Sequence, residues 1–62
     1  MTAEHIREQL EQIAEQLDDL AMSVLRDAVD EGATTRPEEE KKLTRARRSV
    51  EKAISILKNE GA

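Results

Sequence analysis

The side chains that could support metal binding or catalysis are few and scattered in this 62-residue chain. His5 is the only histidine, and Glu8 is a carboxylate within one turn of it on a predicted helix. Two ligands near a helix end fall short of the three or four protein ligands that zinc sites use. The absence of cysteine excludes thiolate ligands, disulfides and a cysteine nucleophile. We therefore expect no metal and no cofactor.

The remaining carboxyl and hydroxyl groups form no catalytic grouping. Asp18 and Asp19 are adjacent in sequence, but on a helix they point about 100° apart and cannot act as a paired acid and base. The serines at positions 23, 49 and 55 lack a nearby histidine that would activate a hydroxyl nucleophile. We therefore expect that the protein is not an enzyme.

Basic side chains recur at helical spacing in the second half of the chain. They form a basic stripe of Lys41, Arg45, Arg48 and Lys52. A solvated helix face is one interpretation of this stripe, and contact with phosphate or with an acidic protein surface is the other. The net charge of −4 and the absence of aromatic residues weigh against nucleic acid, because long-range attraction and base stacking are both lost.

Two long helices separated by one short break must position these residues. Gly32 suits the left-handed conformation that follows a helix C-terminus, and Thr35 with Glu38 matches a capping box at the start of the next helix. We predict a single domain over residues 1–62, with helix 1 over about 3–31, a turn over 32–35 and helix 2 over about 36–59. Thr2 is the expected N-cap of helix 1.

Apolar residues in both segments alternate at intervals of three and four, the heptad pattern of helices that pack together. A short loop makes the two helices antiparallel neighbours, with Leu10 facing Leu57 and Leu17 facing Val50. The expected hairpin core consists of Leu10, Ile13, Leu17, Leu20, Val24, Leu43, Val50, Ile54 and Leu57. The sequence therefore predicts an all-α, coiled-coil-like antiparallel two-helix hairpin.

Further apolar residues lie off this seam, namely Met22, Leu25, Val29 and Ile56. Scattered exposed apolar residues are common and provide one interpretation. The other is a dimer or partner surface, because a lone hairpin of this size buries little of its surface. With loops at opposite ends, Ile56 of one copy would approach the Leu25–Val29 region of the other. We therefore expect a homodimeric four-helix bundle.

The expected function follows from these features. No apolar run is long enough to cross a membrane and no signal-peptide pattern is present, so we expect a soluble cytoplasmic protein without a membrane partner. The predicted function is a small non-catalytic helical module for protein–protein interaction or assembly, which self-associates and offers charged faces to another protein. The alternative is a small nucleic-acid-associated regulatory protein that uses the basic stripe.

Overall fold

The computed structural model describes residues 1–58, and within them the chain forms two α-helices. Helix α1 spans Ala3–Asp30 and helix α2 spans Glu38–Lys58. The helices pack against each other, and ion pairs between the middle of α1 and α2 show that they run antiparallel. The predicted all-α hairpin is confirmed. The predicted end of helix 2 at residue 59 lies outside the described residues.

The N-terminus of α1 is capped by a side chain. Thr2 has an extended backbone, and its Oγ1 accepts a hydrogen bond of 3.1 Å from the N–H of His5. Glu4 lies in the first turn, where its negative charge interacts favourably with the helix dipole. The predicted cap at Thr2 is therefore confirmed.

The C-terminus of α1 depends on Gly32. Its φ of 86° is the left-handed conformation that glycine adopts without steric cost. The N–H of Gly32 donates to the carbonyl of Val29 at 3.0 Å, and the N–H of Ala33 donates to that of Ala28 at 2.9 Å. This pair of bonds is a Schellman motif, which satisfies carbonyls at the helix end. The predicted role of Gly32 is confirmed, although α1 ends at Asp30 rather than at residue 31.

Helix α2 begins at Glu38 rather than at residue 36. Its first helical hydrogen bond runs from the N–H of Lys41 to the carbonyl of Pro37 at 3.2 Å, so Pro37 occupies the cap position. Thr35 lies outside the helix, and the predicted capping box does not form. The physical reason is that a proline disfavours helical geometry at the preceding residue, here Arg36.

The core between the helices is shallow. Among the described residues, the buried ones are Ala14, Ala21, Glu40 and Ile54. Apart from the exposed Leu20, the leucines and valines of the predicted core are half-buried: Leu10, Leu17, Val24, Leu43, Val50 and Leu57. The molecule measures 49 × 17 × 11 Å, so it is one helix layer thick. A single hairpin therefore does not enclose its own apolar side chains.

The contact face of α1 is rotated from the predicted seam. Ala14 and Ala21 are buried against α2, whereas Ile13 and Leu20 are 42% and 48% exposed. The contact face is turned by about 60° relative to the seam, with Leu17 common to both. The assignment of Ile13 and Leu20 to the hairpin core is therefore corrected. The reason is that α1 carries a wider apolar stripe than one neighbouring helix can cover.

Candidate functional site

The hairpin has two broad sides of different character. One of them, the polar side, is a shallow groove whose charged lining consists of Glu11, Glu15 and Asp18 from α1 and Arg47, Glu51 and Lys58 from α2. Arg47 lies 3.8 Å from Asp18, and Lys58 lies 4.0 Å from Glu11, so ion pairs bridge the helices across this groove. These pairs are partly exposed, and each contributes little to stability.

The opposite side of the hairpin is apolar. By the helical repeat, Ile6, Ile13 and Leu20 of α1 point away from the polar groove, and they are 39%, 42% and 48% exposed. Ala46 and Ala53 of α2 point to the same side. We call the apolar side the surface formed by Ile6, Ile13, Leu20, Ala46 and Ala53, edged by the half-buried Leu10, Leu17, Val50 and Leu57.

Uncharged polar side chains border the apolar side on α1. Gln9, Gln16 and Ser23 are all exposed and follow the same face of the helix. The charged residues on or beside this side include Asp27 near the loop end of α1, and Glu39 and Lys42 in the first turns of α2. Protein interfaces are depleted of charged residues at their centres. The composition of this border is therefore that of a surface which another protein can cover.

The residues predicted as a dimer or partner surface do not form one surface. Met22 and Val29 are exposed on the polar side of α1, and Leu25 beside them is half-buried. Ile56 is exposed at the outer edge of the apolar side of α2. A single two-fold contact through either broad side therefore cannot cover all of them. Ile56 alone of this group lies at the border of the apolar side.

The basic stripe is exposed along the outer edge of α2. Lys41, Arg45 and Arg48 line a shallow groove next to Thr44. The Nζ of Lys41 lies 3.4 Å from the carboxylate of Glu38, which offsets part of the positive charge. The stripe therefore points away from α1 and from the apolar side, as its spacing predicts.

A buried carboxylate near the loop was missed in the sequence. Arg36 donates from Nε and Nη2 to the two carboxylate oxygens of Glu40 at 2.6 and 2.8 Å, and Thr44 Oγ1 donates to the same carboxylate at 2.6 Å. The hydrogen bond from Arg36, followed by that from Thr44, holds the pKa of Glu40 at about 2. These contacts fasten the loop to the first turns of α2. The signal available in the sequence was the regular four-residue spacing of these residues.

Among residues 1–58, no group of three or more histidine, aspartate or glutamate side chains is placed to hold a metal ion, and neither helix has the length and apolar character to cross a membrane. No protein-family model, curated protein or solved structure matches the chain. The apolar side is the candidate functional site, because exposed apolar residues that share one side of a molecule mark interaction surfaces.

Proposed function

We propose that the chain is a small, non-catalytic helical assembly module that acts through its apolar side. The observation that carries this proposal is the row of exposed Ile6, Ile13 and Leu20 beside half-buried leucines. Leaving large apolar side chains in water costs free energy that burial would recover. Helices of a partner laid along this row would complete a core of the kind found in helix bundles.

A second copy of the chain is the partner that the surface area favours. The hairpin exposes 4893 Å², whereas a compact protein of 7.0 kDa exposes about 4,000 Å². The excess of about 900 Å² is close to the roughly 800 Å² that each partner buries in a stable interface. Two hairpins stacked through their apolar sides would form a four-helix bundle.

The width of the apolar stripe on α1 also supports a bundle. A helix in a two-helix contact needs apolar residues only along one narrow line, whereas a helix in a bundle faces two neighbours. Ala14 and Ala21 contact α2, while Ile13 and Leu20 extend the stripe beyond that contact. The stripe therefore suits a helix that packs on α2 and on a partner at once.

Thermal melts at a series of protein concentrations test this proposal. Linked folding and association make the melting temperature rise with protein concentration. Ile13→Glu, which places a charge on the apolar side, should abolish the cooperative melt at concentrations where the unmodified chain is folded. Gln12→Glu adds the same charge to the adjacent, outward-facing position and should leave the melt and its concentration dependence intact. A cooperative melt of the unmodified chain at one temperature over all concentrations would contradict the proposal.

Binding to a phosphate backbone is a second candidate function, supported by the groove beside Lys41, Arg45 and Arg48. Stacking through the apolar side would leave this groove exposed on both copies. Affinity for generic duplex DNA should then fall steeply with salt and weaken further when Arg45 and Arg48 are both changed to Glu. Absence of binding at low salt would eliminate this candidate.

A further inference from the structure

We infer that the two copies stack with their loops at the same end, so that α1 of each hairpin lies over α2 of its partner. This inference rests on the proposed self-association through the apolar side. Two kinds of two-fold axis can bring the apolar sides together. An axis along the helices places α1 over the partner's α2 with the loops together. An axis across the helices places α1 over the partner's α1 with the loops apart.

The sizes of the side chains favour the axis along the helices. On the apolar side α1 offers Ile13 and Leu20, whereas α2 offers Ala46 and Ala53. The register given by the interhelical ion pairs sets Ile13 close to the level of Ala53, and Leu20 close to that of Ala46. An axis along the helices preserves these levels in the dimer. Each large residue therefore meets an alanine of the partner, as interdigitating cores require.

The axis across the helices gives a poorer fit. It sets the large residues of the two α1 helices against each other on one half of the interface. On the other half it sets the alanines of the two α2 helices against each other. The two halves would then need different spacings between the layers, and a rigid pair of hairpins would leave voids beside the alanines. Voids of this kind are destabilising.

The distribution of charge favours the same arrangement. Residues 1–31 contain nine acidic and two basic residues, whereas residues 36–62 contain eight basic and five acidic residues. Placing α1 over α1 sets like charges together, and placing α1 over α2 sets opposite charges together. Asp27 and Lys42 border the apolar side at nearly the same level. In the inferred dimer Asp27 lies near the partner's Lys42, and two-fold symmetry repeats this pair.

Reversing these charges probes the pairing directly. Asp27→Lys should raise the dimer dissociation constant by about fivefold, because the variant loses the two symmetry-related ion pairs at the rim of the interface. Adding Lys42→Asp to the same chain should restore the affinity. Glu8→Lys makes the same charge change on the outer face of α1 and should have a smaller effect. Failure of the double variant to recover affinity would contradict the pairing.

Spin-label distances test the orientation. The chain has no cysteine, so Thr34→Cys places a single thiol in the exposed loop. With the loops at the same end, two labels should lie within about 30 Å, because packed helix layers are 8–10 Å apart. With the loops at opposite ends, the labels should lie near the full molecular length of 49 Å. A short distance in double electron–electron resonance is the expected result, and a distance near 49 Å would overturn the orientation.

Lys52→Cys is the matched control, since it lies on the outer face of α2 near the middle of the hairpin. Both arrangements bring labels at mid-length within a short distance, so this variant reports dimer formation alone. A short distance for Lys52→Cys with a long one for Thr34→Cys would contradict only the orientation. No dipolar signal from either variant would contradict the self-association itself, and the orientation with it.

Discussion

Truncation of Leu20 should weaken dimerisation, whereas truncation of Met22 should not. The two residues lie in the same turn of α1 and are similarly exposed, at 48% and 53%. Leu20 lies on the apolar side and Met22 on the polar side. Alanine at either position preserves helix propensity, so the hairpin itself should remain helical. The comparison therefore isolates the side of the hairpin that a partner covers.

The size of the effect follows from the exposure of Leu20. Full burial of a leucine contributes about 1.5–3 kcal/mol, and the 48% still exposed leaves about 1 kcal/mol per copy for the partner to recover. Each dimer contains this contact twice, so Leu20→Ala should cost about 2 kcal/mol, a rise of about 30-fold in the dissociation constant. Met22→Ala should change the constant by no more than about threefold, as surface substitutions do.

Dilution calorimetry measures the dissociation constant of each variant, and circular dichroism at high concentration checks that helicity is retained. A larger effect for Met22→Ala would place the interface on the polar side. Equal effects of the two substitutions on the dissociation constant would show that the dimer does not form specifically through either side. Either result would refute the assignment of the apolar side.

Three further predictions concern the ends of the helices. Gly32→Ala should lower the free energy of unfolding in urea by about 1 kcal/mol, because alanine is strained at the φ of 86° that Gly32 adopts. No atom lies within 4 Å of the added Cβ, so the backbone conformation is the source of this loss. Unchanged stability would contradict the left-handed turn. Thr2→Ala should lower the free energy of unfolding by about 0.5–2 kcal/mol through the lost cap, and Thr35→Ala should lower it by less than about 0.5 kcal/mol. Thermal melts that show the larger loss for Thr35→Ala would indicate that the capping box forms. The pKa of Glu40 is lowered from 4.5 to about 2, so its charged form stabilises the fold above about pH 4.5 and this contribution is lost as the pH falls towards 2. Glu40→Gln should lack this acid-dependent loss, and parallel stability curves for the two proteins would rule out the carboxylate as its source.

Local signals in the sequence were sufficient for the two helices and for the ends of α1. The hydroxyl of Thr2 and the left-handed preference of Gly32 act within a few residues of the chain, so their roles do not depend on packing. The start of α2 was harder to predict. A capping-box pattern at Thr35 competes there with the restriction that Pro37 imposes on Arg36, and the proline dominates.

The heptad pattern could not predict that the face of α1 in contact with α2 is rotated from the seam. The pattern gives the width of an apolar stripe, but it does not say which part of the stripe one neighbour covers. Ala14 and Ala21 were weak signals by hydrophobicity, yet they form the buried line. The burial of Glu40 was missed for a related reason. A charged residue becomes buried only when specific partners, here Arg36 and Thr44, satisfy it.

Sedimentation equilibrium of the unmodified chain tests self-association through the apolar side most directly. The exposed row of Ile6, Ile13 and Leu20 leads us to expect a helical species with twice the 7.0 kDa mass of the chain at micromolar concentration. Dilution should dissociate it, with a loss of helicity that follows the loss of mass. A stably folded species that stays at 7.0 kDa across the concentration range would contradict the proposed dimer.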